Sequence, residues 1–301
     1  MLIRSSSEVR DGFFLLTLGS SCHYLVGDEN FTLFDGCYSA QIPLLLSRLE
    51  QFGVKPASLN RIFATHLHAD RIAGIPYLRK SIPNLSFGIF SKTESQLRER
   101  SFVQALYERD LEILKRAEIP AKPAILEFEE FFALLAPDVL LHDGDTLALS
   151  NGDVARVVPF PGHTSHSVAF LFQSAQFLIT DEGCGYFNLN GLHAPGGDTD
   201  LGQAISSILK LAKLDLRGIC LPSGGVITGT LTQRYLQTVV RNSSDILTES
   251  KAALADGVAL EDIRSSIFES FYKNGLPDAV SQLNRKETFD ALWTQIRKKI
   301  T

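Results

Sequence analysis

The segment Thr65-His66-Leu67-His68-Ala69-Asp70-Arg71 places two imidazoles and a carboxylate within five positions, directly after the apolar run Arg61-Ile62-Phe63-Ala64. A short strand ending there delivers His66 and His68 to one side of the chain, because alternate strand residues share a face. The loop after it brings Asp70 to the same cavity. Such spacing suits a metal: neutral imidazoles bind Zn2+ or iron, and a nearby carboxylate either ligates or steers a metal-bound water. A pair of surface histidines beside an N-cap aspartate has the same pattern, so the motif alone leaves both readings open.

A second segment adds a third imidazole. Pro159-Phe160-Pro161-Gly162-His163-Thr164-Ser165-His166-Ser167 follows the strand-like Val154-Ala155-Arg156-Val157-Val158 and precedes the apolar Val168-Ala169-Phe170-Leu171-Phe172, which puts His163 on a turn at a strand end. Three histidines with one open position describe a catalytic rather than a structural zinc site. The next strand, Gln176-Phe177-Leu178-Ile179-Thr180, ends at Asp181, a carboxylate placed to reach the same cavity.

In this order the motifs resemble those of the metallo-β-lactamase-fold hydrolase superfamily, whose signature is Thr-His-x-His-x-Asp-His, then Pro-Gly-His-Thr, an aspartate after the next strand and a final histidine. The matching positions are Thr65, His66, His68 and Asp70, then Pro161-Gly162-His163-Thr164, then Asp181, with supporting matches at Phe34-Asp35-Gly36 and His142-Asp143-Gly144-Asp145. Two departures bear on the metal. Arg71 stands where most of the family has a histidine, and it stays protonated and cannot ligate. Leu221-Pro222-Ser223-Gly224-Gly225 stands where the family's last ligand loop is Leu-Pro-Gly-His-Gly, with Gly224 in the histidine's place. The resemblance therefore implies a complete first site of His66, His68 and His163 with Asp181, and a second keeping only Asp70 and Asp181. One tight metal and a second that is weak or absent are expected. Cys184, His166 and His193 are candidate substitutes for the lost ligand, against a plainer reading of Cys184 as a packed thiol and of the two histidines as polar loop residues.

The resemblance also implies an α/β fold, a four-layer αββα sandwich, over residues 1–230, and the residue pattern agrees with it. Strands are expected at Phe13 to Leu18, Cys22 to Val26, Phe31 to Phe34, Val139 to Leu141 and Thr146 to Leu149, beside those flanking His163 and a closing strand at Gly218 to Leu221. Helices are expected at about Ala40 to Phe52 and Leu201 to Lys213. Residues of about 94–136 read as a helical insertion shaping the substrate entrance, ended by Pro120 and Pro123. Residues 231–301 read as a helical C-terminal extension, either a cap or the interface of a homodimer. His23 and His142 are read as packed or capping residues.

With 301 residues, 45% of them apolar, and a net charge of −5 without a basic stripe, a large core is expected and nucleic acid is not an expected partner. No segment reaches the roughly 18 apolar residues of a membrane span, and the N-terminus lacks a long apolar stretch. Cys22, Cys37, Cys184 and Cys220 are widely spaced, which fits reduced thiols in a cytoplasm.

These features lead to a metal-dependent hydrolase. Zinc on His66, His68 and His163 would bring bound water to a pKa of about 7, and the hydroxide would attack a small-molecule ester, thioester, lactone or related acyl bond. Asp70 would orient it and pass a proton to the leaving group, while Arg71 anchors a substrate carboxylate or phosphate or forms an ion pair with Asp70 or Asp35. The alternatives are a catalytically inactive metal- or ligand-binding protein, a phosphodiesterase or β-lactamase if the second metal site is rebuilt, and an iron protein.

Overall fold

The computed structural model describes residues 1–187, 193, 194, 196, 199–272 and 279–301. Strand Phe13–Leu18 shows how the fold begins. Phe13 and Leu15 join one apolar cluster and Leu16 and Leu18 another, so a period of two with both faces apolar commits the strand to burial between layers. Each such side chain contributes about 1.5–3 kcal/mol on leaving water.

Among the described residues this strand belongs to a seven-stranded sheet running Ser7–Arg10, Phe13–Leu18, Ser21–Val26, Phe31–Phe34, Leu59–Phe63, Ser86–Phe90 and Val139–Leu141. Its first four strands pair antiparallel, and from Phe31–Phe34 onward the pairing is parallel. A second seven-stranded sheet runs Leu2–Ile3, Val226–Thr228, Gly218–Cys220, Phe177–Ile179, Val168–Phe172, Val154–Pro159 and Thr146–Ala148. The inner faces meet through aromatic rings: Phe13 lies 5.0 Å from Phe172, and Phe34 4.8 Å from Phe170. Helices Ile42–Gln51, Ile75–Ser81, Arg100–Arg116 and Phe128–Leu134 cover the outside of the first sheet. Helices Leu201–Leu211 and Leu231–Ala255 cover the second through Ile208, Leu211, Tyr235, Leu236 and Val239. This is the expected four-layer αββα sandwich.

The insertion is helical over Glu94–Arg98, Arg100–Arg116 and Phe128–Leu134. It packs on the short helix Ala69–Ile72, and Asp110 accepts a 2.8 Å hydrogen bond from the Ser39 amide, tying the insertion to the turn after Asp35. At the C-terminus, Phe289, Leu292 and Ile296 are buried against Leu201, Ile246 and Ile263, so that apolar stripe is covered within the chain itself. All four cysteines are free and buried. No helix among the described residues is long and apolar enough to cross a membrane.

Candidate metal centre

Strand Leu59–Phe63 lies between two parallel neighbours and is the track on which the histidine loop is laid. It ends three residues before His66, and the Ala64 amide still reaches Gly88 O at 3.1 Å. His66 and His68 therefore meet through a loop and a helix cap, not through strand alternation as the spacing suggested. His66 is buried at 2% exposure, whereas His68 is the exposed N-cap of helix Ala69–Ile72. Asp35 holds the loop in place. Its φ of +62° is left-handed, a conformation that aspartate tolerates better than most residues. From there its Oδ1 accepts from the Thr65 amide at 2.7 Å, and the Thr65 hydroxyl lies 3.0 Å from both carboxylate oxygens.

Thr65 also joins the two sheets, because its carbonyl accepts from the Val168 amide at 2.9 Å. That bond sets the His163 turn beside the His66 loop. Gly162 turns the chain with φ +142°, and a Cβ there would come within 2.4 Å of Ala204 Cα, so the approach of helix Leu201–Leu211 requires glycine. The Thr199 hydroxyl donates to His163 O at 2.9 Å, and the Ser207 hydroxyl to Pro161 O at 2.7 Å.

The three histidines converge on one point. Nε2 of His163 is 3.2 Å from Nε2 of His66 and 3.0 Å from Nδ1 of His68, with the rings mutually edge-on. Burial, then the neighbouring imidazoles and Arg71, hold His66 well below the ordinary histidine pKa, so it is neutral, the form that ligates. Thr65 Oγ1 is 2.9 Å from His66 Nδ1; with its proton given to Asp35, it accepts from Nδ1–H and leaves Nε2 as the lone pair facing the other rings. Tetrahedral zinc with nitrogens at 2.0–2.1 Å sets them about 3.3 Å apart, which the observed separations match. The donor set thus fits a divalent metal.

Other predicted residues fall around this triad. Asp70, half-turned to solvent, lies 3.3 Å through Oδ2 from Arg71 Nη2. Arg71 does not face the opening: it is 2% exposed and bonds Glu182 through Nη2. Burial opposes its charge, but Glu182, Asp70 and Asp35 outweigh burial and raise its pKa well above the ordinary arginine value. Asp181 is fully buried, accepts from the Gly183 amide at 2.8 Å through Oδ1, and stands outside the set of ligand atoms that close on one point. Burial, opposed by His163, pushes its carboxyl up to about 7.

Cys184 packs among Phe160, Leu178 and Ile208, with its thiol pushed up to about 12 by burial, and is a core residue. His166 is partly exposed and is not one of the three converging histidines. The side chain of His193 and most of the loop around it lie outside the described residues. His23 is packed, lowered to about 3 chiefly by burial, and His142 is exposed beside Asp145.

Glu182 is the site residue that sequence reasoning missed. Its Oε2 lies 3.7 Å from His66 Nε2 and 3.5 Å from His163 Nε2, while Oε1 takes the bond from Arg71. Burial alone would raise its pKa, but Arg71 and the histidines hold it well below the usual carboxylate range. The signal was present: two acids, Asp181 and Glu182, stand consecutively at a strand end in one tight turn.

A family model described as the metallo-beta-lactamase superfamily matches residues 16–217. The chain is 27% identical over 164 residues to a probable metallo-hydrolase of Streptococcus pyogenes serotype M6, spanning 54% of this chain and 61% of that protein. It is 24% identical over 187 residues to a hydroxyacylglutathione hydrolase of Francisella tularensis subsp. novicida, spanning 62% and 58%. The chain thus spans less than two thirds of the length of either relative. Two solved structures resemble it in fold. A metallo-beta-lactamase family protein from Thermus thermophilus has a TM-score of 0.66 at 18% identity, covering 97% of this chain and 95% of that one. A beta-lactamase domain protein from Burkholderia ambifaria has a TM-score of 0.65 at 16% identity, covering 96% and 87%.

Proposed function

This chain belongs to the metallo-beta-lactamase superfamily of metal-dependent hydrolases, and from that premise we propose that it hydrolyses a small-molecule acyl bond, a thioester or ester, with one zinc held by His66, His68 and His163. The observation carrying this reading is the meeting of the three imidazole nitrogens at 3.0 and 3.2 Å, two of the rings buried and one open to solvent. A divalent ion bound there supplies Lewis acidity and activates water at neutral pH.

The chain's own residues do the rest. The Asp35–Thr65 pair orients His66. Asp70, two residues after His68 on the solvent side, orients the attacking water and carries its proton to the leaving group. His68, the exposed member of the triad, marks the side from which substrate enters. Within the acyl class, the hydroxyacylglutathione hydrolase name of one relative favours a thioester. Four free, buried cysteines fit a reducing cytoplasm as the working compartment.

The test is turnover of acyl-glutathione thioesters, aryl esters, lactones and an aryl phosphodiester by metal-free protein restored with one equivalent of Zn2+. Thioester hydrolysis that needs the metal, vanishes in His66→Ala, and falls about 10²–10⁴-fold in Asp70→Asn with metal retained supports the proposal. Turnover of the phosphodiester alone contradicts it.

A further inference from the structure

Carboxylates gather beside the histidine triad, and they already have a cation. Nη2 of Arg71, a residue 2% exposed, bonds Oε1 of buried Glu182 and stands 3.3 Å from Oδ2 of half-buried Asp70. The other oxygen of Glu182, Oε2, faces His66 and His163 at 3.7 and 3.5 Å and is buried without a hydrogen-bond partner. The preceding residue, Asp181, is fully buried, and its Oδ2 likewise has no hydrogen-bond partner. Hard oxygen donors beside neutral imidazoles are a donor set that attracts divalent ions. A buried carboxylate without a counter-charge is costly, and guanidinium, which does not lose its proton, answers that cost permanently where a metal would do so reversibly.

We propose that the Arg71 guanidinium is the built-in cation of this oxygen-rich corner, occupying the position a second divalent ion would take and limiting the protein to one metal per chain. Two features enforce the limit. Glu182 spends Oε1 on Arg71, so only Oε2 faces the triad. A fixed positive charge within bonding distance of Glu182 and beside Asp70 repels any further cation in a medium that screens poorly. Arg71 is thus a positioning residue: it holds Glu182 aimed, and acts on the metal through it. This role presupposes that the triad holds a metal.

The test is titration of metal-free protein with Co2+, followed by visible absorption and by native mass spectrometry, in wild type, Arg71→Lys, Arg71→Ala and Arg71→Met. Wild type and Arg71→Lys are expected to saturate at one Co2+, and Arg71→Ala at two. Arg71→Met fills the space of the stem and removes the guanidinium with its charge and donors, so it serves if Arg71→Ala does not fold, and it too should reach two. Adding Glu182→Gln to Arg71→Met should abolish the second equivalent. Saturation of wild type at two Co2+ overturns the proposal, as does a folded Arg71→Ala or Arg71→Met that stops at one. Wild type that takes up no Co2+ would instead overturn the metal reading of the triad, an outcome distinct from the others.

Discussion

The two sides of the site solve the same electrostatic problem in opposite ways. On one side His66, His68 and His163 bring their ring nitrogens to 3.0 and 3.2 Å of one another, with buried His66 held neutral, an arrangement of imidazole donors. On the other, buried Glu182 and half-buried Asp70 bring carboxylates beside the triad, and Arg71 pairs with both from within the chain. In the proposed arrangement, a cation from solution completes the imidazole side, while Arg71 already supplies the charge on the carboxylate side. The contrast extends to another buried carboxylate. Asp110, which accepts from Ser39, is pushed up to about 6 by burial, whereas Glu182, facing Arg71, is held low.

The largest effect belongs to the neutral side. His163→Ala removes a ligand nitrogen from the point where all three meet, and the protein is expected to lose its metal on dialysis, read by elemental analysis, and its hydrolysis with it. Next comes the charged side. Removing one partner of the buried pair strands the other, so Glu182→Ala should lower the stability of the metal-free protein by about 3–5 kcal/mol in urea unfolding. The double variant Arg71→Met/Glu182→Met should lower it by clearly less than the single one. A double-variant loss equal to the sum of the separate Arg71→Met and Glu182→Met losses would mean that the two residues act independently.

Asp110 sharpens the contrast from the uncompensated end. Its folded pKa is raised from 3.8 to about 6, so the stability it contributes is fully present below about pH 4 and is lost as pH rises through 6. Asp110→Asn should therefore gain on wild type between pH 4 and 7, by roughly 3 kcal/mol at most. A stability difference flat across that range, measured by denaturation at each pH, would show that burial does not govern Asp110. The smallest effect is expected at the neutral side's support. Thr65→Val leaves the ligands in place but removes the hydroxyl between Asp35 and His66, and should weaken metal binding about 10–100-fold in a chelator competition assay.

Much of the fold was legible because both faces of its central strands are apolar. Phe13–Leu18, Phe31–Phe34 and Val168–Phe172 fall where the runs of phenylalanine, leucine and valine placed them. The edges were not. Leu2–Ile3 and Val226–Thr228 are two and three residues long and exist because the chain's start pairs with residues more than two hundred positions away. Ser86–Phe90 was hidden behind a glycine at its centre, which Phe63 packs against.

The same divide runs through the site. His66, His68 and His163 announce themselves by spacing and by the strand ends they follow. Glu182 does not, since its meaning lies in Arg71, 111 residues earlier, and in two histidines brought to it by folding. The helix cap that lets His66 and His68 share one point is equally non-local. It depends on Asp35 in a left-handed turn and on Val168 in the opposite sheet.

The most direct measurement is anomalous diffraction at the zinc edge from crystals of protein loaded with one equivalent of Zn2+. The account predicts a single peak bonded to Nε2 of His66, Nδ1 of His68 and Nε2 of His163, with none beside Arg71. A peak elsewhere, or no peak among the three imidazoles, would contradict it.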